Sequence, residues 1–120
     1  FIEKEILMSS VMTESRHKRA LKYAMEKIIQ SPLAPYVNEL ILYGSYARGT
    51  QAWESDVDLL LTLEADAPNL KKEIIKLKAE VTQDGVDDVQ VDLKVLYGDA
   101  WKDSSMLYYQ NIWKEGKKLW

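Results

Sequence analysis

Two short apolar runs constrain the fold of this chain more than anything else in it. Leu40-Ile41-Leu42-Tyr43 stops at Gly44, and a second run starts at Asp56 and reaches Thr62. Runs this short, ended by glycine or polar residues, read as buried strands. Val89, Val91, Leu93 and Val95 alternate with Gln90, Asp92 and Lys94, which predicts a third, half-buried strand. Between them the period changes. Leu21, Ala24, Met25 and Ile28 predict a helix over 14–30, stopped by Ser31-Pro32 and Pro35. Asp66-Ala67-Pro68-Asn69 carries helix-start chemistry ahead of the stripe Leu70, Ile74, Leu77 and Val81. The tail over 104–118 reads as a last helix, with Met106, Tyr109, Ile112 and Trp113 on one side and Gly116 near its end.

The order helix, strand, strand, helix, strand, helix predicts an α/β (α+β) domain whose mixed sheet of about three to four strands is flanked by helices. The strand–helix–strand unit over 56–95 should be parallel and right-handed. The pair joined through the glycine turn is expected to be antiparallel. A length of 120 residues predicts a single domain over 1–120.

Composition narrows the chemistry. The chain has no cysteine, which excludes disulfides, thiolate zinc sites and cysteine nucleophiles, and its one histidine excludes a multi-histidine metal site. Any metal must then be held by oxygen, as magnesium, manganese or calcium are. A net charge of -3 is a poor footprint for gripping a long nucleic acid. Arg16, Lys18, Arg19 and Lys22 read as a solvated helix face, and His17 between them as a surface residue. No apolar run approaches the roughly 18–20 residues that span a membrane. The stretch Phe1 to Met12 lacks a signal-peptide layout, so a cytoplasmic protein without membrane contact is expected.

The residues between the first two strands carry the chemistry. Asp56 and Asp58, one residue apart on a strand, leave the same face, while Val57, Leu59 and Leu61 point to the other, toward a helix. Two such carboxylates repel; one takes up a proton unless a cation is bound. Asp92 sits mid-strand among apolar residues, where a lone charge is costly. If its strand lies beside that of Asp58, three carboxylates converge, and with phosphate oxygens they can hold two Mg²⁺ ions, or Mn²⁺, for an in-line displacement. Asp84, Asp87 and Asp88 read as solvated turn residues, with Asp88 a rival to Asp92 for the third place. Gly44 and Ser45 follow a strand and open a short helical turn, whose backbone N–H groups suit phosphate. The Ser45 hydroxyl can donate to a phosphate oxygen. Arg48 either neutralises phosphate or braces the loop against an acidic side chain, and Gly49 permits a backbone turn.

The pattern Gly44-Ser45-x-Ala47-Arg48-Gly49, six further positions, then Asp56, Asp58 and Leu59 resembles the signature of minimal nucleotidyltransferases of the DNA polymerase β superfamily. Ser55 matches the serine that precedes the first aspartate there, Val91-Asp92-Leu93 the third carboxylate, and Tyr109 to Trp120 the closing helix. The resemblance covers nearly the whole chain. It implies transfer of a nucleoside monophosphate from an NTP, ATP above all, with release of pyrophosphate. In it Asp56, Asp58 and Asp92 are catalytic and metal-binding, and Gly44, Ser45, Arg48 and Ser55 contact the nucleotide.

The acceptor is not written in the motif. Short members of the family serve as antitoxins of HEPN-type toxins, in some cases adding AMP to a toxin tyrosine, so a protein partner of that kind is implied. The alternative is a binding module that neutralises its partner by contact without catalysis. Four tryptophans and seven tyrosines bear on this choice. Tyr43 and Trp113 are expected in the core; Trp53, Trp101, Tyr108 and Trp120 exceed what it readily buries, and can serve packing or a partner or oligomer interface. Trp53, inside the motif loop, can instead stack on a base.

Overall fold

The computed structural model describes residues 15–83 and 88–120. The expected turn at Asp84-Gly85, Asp87 and the segment Phe1 to Met12 lie outside the described residues. Helix α1, Arg16–Gln30, begins at Ser15, whose hydroxyl accepts the Lys18 N–H, and ends at Ser31 just before Pro32. After a 3-10 turn at Ala34–Tyr36 come strand β1, Val37–Tyr43, and the one-turn helix α2, Gly44–Arg48. Strand β2, Val57–Leu63, helix α3, Lys71–Gln83, and strand β3, Val91–Tyr97, follow. A second 3-10 turn, Ala100–Asp103, leads to helix α4, Leu107–Glu115, and to the two-residue strand β4, Lys117–Lys118.

The sheet has four strands in the order β3-β2-β1-β4. β1 and β2 are antiparallel and β2 and β3 parallel, as the sequence predicts. Helices α1 and α3 cover one face, where Ala20, Ala24, Ile28, Leu77 and Val81 pack on Leu42, Val57, Leu59, Leu61, Val91 and Leu93. The other face is covered by the tail: Ile41, Tyr43 and Leu60 pack against Trp101 and Ile112. β2 is therefore enclosed on both sides, which explains why Leu59, Leu60, Leu61, Thr62 and Leu63 run without alternation. Each fully buried leucine contributes roughly 1.5–3 kcal/mol of burial free energy.

The tail departs from expectation in two ways. Its helix is only nine residues long, because the chain turns at Gly116 and returns as β4 beside β1, pairing Lys118 with Ile41 and Lys117 with Leu42. Trp113 is exposed rather than core, and Trp101 takes the interior place. The physical reason is the second 3-10 turn, which pushes the Trp101 indole between sheet and helix and leaves Trp113 edge-on outside it, ring centroids 6.0 Å apart. Met106 is likewise exposed, and Ile112 alone of the expected stripe is fully inside.

Candidate active site

β1, β2 and β3 set Tyr43, Asp58 and Asp92 side by side. Tyr43 pairs with Asp58 across the antiparallel ladder, and Asp58 with Asp92 across the parallel one. Directly paired residues in a sheet point to the same face, so the two carboxylates and the phenol form a single row. Asp88 is not in that row. It lies before β3, exposed, with φ 64°. Asp56 is exposed and stands one residue ahead of β2, whose pairing starts where Val57 N–H donates to the Gln90 carbonyl at 2.9 Å.

The row is closed at one end by α2. Gly44 has φ 80° and lies so close to Asp58 that a Cβ added there would overlap its Oδ2 and sit 3.1 Å from its Cγ. Only glycine lets the turn reach the carboxylate this closely. Gly49 ends α2 in the left-handed region with φ 75°, the backbone turn foreseen for it. Ser45 and Arg48 both lie on this turn. The Arg48 guanidinium pairs with Glu115 of α4 at 3.5 Å, so bracing is its observed contact, with the side chain still half in solvent.

Electrostatically the row is short of positive charge. Burial, then Asp92 and Asp56, push the Asp58 carboxyl up to about 6, and Lys94 and Arg48 only partly counter this. Lys94, two positions beyond Asp92 on the same strand face, stands 3.9 Å from its Oδ2. Burial, the Tyr108 hydroxyl and the nearby Asp58 and Asp92 hold the Tyr43 phenol far above its ordinary range, so it stays protonated. Oxygen donors under mutual repulsion are what a hard divalent cation neutralises, and Asp58 and Asp92 fit that role. Their present arrangement is open: among the described residues no three acidic or histidine side chains already enclose an ion.

Over residues 22–119 the sequence matches the nucleotidyltransferase domain family. The chain belongs to that family. Its class of activity is therefore nucleotidyl transfer, and its mixed four-stranded sheet flanked by helices is the polymerase-β-like core. No curated protein matches it significantly in sequence. Among solved structures it is similar to a toxin–antitoxin complex with AMP-PNP, at 26% identity and a TM-score of 0.56, over 81% of this chain and 70% of that one. It is also similar to the toxin–antitoxin MntA–HpeT carrying two aspartate-to-glutamate changes, at 25% identity and a TM-score of 0.53, over 80% of this chain and 68% of that one. A nucleotidyltransferase-like protein of Sulfolobus solfataricus shares the fold at 24% identity and a TM-score of 0.51, covering 88% of this chain and 83% of its own.

In this nucleotidyltransferase domain the loop between α2 and β2 is held by residues that sequence reasoning undervalued. His17, expected at the surface, is buried; its Nε2 donates to the Ser55 carbonyl at 2.8 Å and its ring stacks on Tyr46 at 5.5 Å. The signal was present, since positions 17, 20, 24 and 28 make one helical stripe whose other members are apolar. Arg16 donates to the Trp53 carbonyl at 2.5 Å and lies 3.6 Å over its ring, leaving the indole otherwise exposed. The Ser55 hydroxyl accepts the Ala52 N–H at 2.9 Å, which leaves its proton free to donate. Trp120 packs at the margin of the α1-side core. Sequence also missed Glu39, a buried carboxylate at the far end of β1 that pairs with Lys102 at 2.9 Å and Lys118 at 3.5 Å.

Clefts open on the surface among the described residues, and two of them bear on where the site lies. One of about 220 Å³ lies against the row, lined by Tyr43, Gly44, Arg48, Tyr108 and Glu115. The larger, about 360 Å³, lies between α1 and α3 beside Lys27, Lys72 and Lys76 and includes none of the motif residues. No helix among the described residues is long and apolar enough to cross a membrane.

Proposed function

We propose that this domain transfers the nucleoside monophosphate of ATP to a hydroxyl group of a protein partner, a tyrosine of a HEPN-type toxin. The observation that carries the reading is the lateral pairing of Asp58 with Asp92, with the Gly44 turn pressed against Asp58. Asp56, Asp58 and Asp92 would hold Mg²⁺, which when bound neutralises the charge of the triphosphate and of the displacement. Gly44 and Ser45 offer the triphosphate the N–H groups of α2 and a hydroxyl. Arg48 and Ser55 flank the same turn and loop, each with a donor to offer. Asp92, at the outer strand of the row, would accept the proton of the incoming hydroxyl. Catalysis then rests on positioning and on charge already in place.

The similarity to a toxin–antitoxin complex with AMP-PNP supports both an adenine nucleotide and a protein partner. Exposed apolar side chains around α4, Leu107, Tyr108 and Trp113 with Met106 beside them, give such a partner an apolar face of the domain to contact. That face also serves the second reading, neutralisation by contact alone. One experiment separates them. The chain is incubated with α-labelled ATP, Mg²⁺ and the product of the adjacent gene, beside Asp56→Ala/Asp58→Ala. Label on the partner that disappears with the double substitution is expected. Label that survives it refutes the metal assignment, and neutralisation without any label favours the contact reading.

A further inference from the structure

A second hydroxyl stands at this row, on the chain itself. α4 brings the Tyr108 Oη within 2.6 Å of the Tyr43 Oη at one end of the row, the rings edge to face at 6.0 Å. On its other side the Tyr108 ring faces Lys94, whose Nζ is 5.6 Å from the ring centroid and 3.9 Å from Asp92 Oδ2. Tyr108 thus spans from the neighbour of Asp58 to the neighbour of Asp92. It lines the same cleft as Gly44 and Arg48, and at 41% exposure it remains open to that cleft. An exposed tyrosine is normally satisfied by water; this one is tied at its hydroxyl to a buried phenol of the row.

We propose that Tyr108 is itself a nucleotidyl acceptor, modified in cis when no partner hydroxyl occupies the site. The inference rests on the transfer reading above. The Tyr108 Oη attacks the α-phosphorus of ATP, forming an Oη–P bond. The bond from that phosphorus to the oxygen bridging to the β-phosphate breaks, pyrophosphate leaves with its electron pair, and the phenol proton passes to water in the open cleft. The product is a tyrosyl nucleotide diester that fills the cleft beside Gly44. Modification is therefore self-limiting at one group per chain, and it closes the site to further turnover.

The full chain, without partner, is incubated with ATP and Mg²⁺ and followed by intact mass and peptide mapping. The expected result is a gain of one AMP on Tyr108, absent from Tyr108→Phe and from Asp56→Asn/Asp58→Asn, at a rate constant unchanged by tenfold dilution. A second measurement needs no turnover. α,β-Methylene-ATP with Mg²⁺, which cannot transfer, should slow acetylation of Tyr108 by N-acetylimidazole at least threefold. An adduct on another residue, an adduct that survives the aspartate substitutions, a rate that scales with protein concentration, or unaltered acetylation overturns the proposal. A chain that modifies its partner but never itself overturns the Tyr108 assignment alone. A chain that does neither overturns the transfer reading with it.

Discussion

Replacing Gly44 by alanine probes the contact on which the site is built. Two costs arise and can be separated. The first is conformational: with φ at 80°, an L-residue here sits in the left-handed region, at roughly 1–2 kcal/mol. The second is steric, since the new Cβ would overlap Asp58 Oδ2 and force that carboxylate to move. Gly49 supplies the control. Its φ is 75° and a Cβ there meets nothing within 4 Å, so Gly49→Ala carries the conformational cost alone. Gly44→Ala is expected to lose about 2–4 kcal/mol and Gly49→Ala about 1–2. For a domain of this size the first corresponds to a fall in Tm of roughly 6–15 °C. The difference between the two belongs to Asp58. In a double-mutant cycle by denaturant unfolding, Asp58→Ala should therefore recover about 1–2 kcal/mol of the Gly44→Ala loss and none of the Gly49→Ala loss. Stabilisation by Mg²⁺-ATP should vanish in Gly44→Ala. Equal losses for the two glycines, or additivity of Gly44→Ala with Asp58→Ala, would refute the reasoning.

The remaining expectations concern charge and the motif loop. Asp58 is raised from 3.8 to about 6, so the folded chain binds this proton more tightly than the unfolded one; its contribution to stability is full below the lower value and is lost as pH rises through the higher. Thermal melts of metal-free protein should accordingly show Asp58→Asn gaining on wild type between those two values, and a gap independent of pH would contradict the shift. Glu39 has the opposite sign. Burial pushes its carboxyl up, but Lys102 and Lys118 more than offset this and hold it below 4.5, so its contribution is present above that value and lost as pH falls through the folded one. Glu39→Gln should cost about 1–2 kcal/mol near neutral pH, with the exposed Lys118 end discounted, and the penalty should shrink in acid. His17→Ala removes the donor to the Ser55 carbonyl and should cost about 1–3 kcal/mol. Limited proteolysis should then cut first within 49–56, and an unchanged cleavage pattern would show that His17 does not secure the loop.

Much of this was legible in the residues because the relevant signals are local. A strand that ends in Gly44-Ser45, an Asp-x-Asp at the start of the next, and a charged residue set among alternating apolar ones each need only a short window of sequence. The antiparallel and parallel pairings also followed, since a short connection and a helical crossover leave little choice. Other features depend on which distant surfaces meet. His17 reads as one more polar residue in a basic helix until the loop carrying Ser55 folds onto it. Trp101 and Trp113 are equivalent in composition, and a 3-10 turn decides which of them is inside. Glu39 looks like a surface charge in an amphipathic strand, and only β4 and the second 3-10 turn bring its lysines.

The carboxylates divide along the same line. Chemical identity and spacing, read from sequence alone, determined that Asp56, Asp58 and Asp92 are candidates for oxygen ligation and that Gly44 and Ser45 open the turn beside them. Register decided which of them meet. Because a strand has a side-chain period of two, a slip of one residue in the β2–β3 pairing would send Asp92 to the opposite face. The tertiary structure sets it directly beside Asp58, leaves Asp56 ahead of the strand, and ties Tyr108 of the last helix to the Tyr43 end of the row. That last placement joins residues 65 positions apart, and no local pattern encodes it.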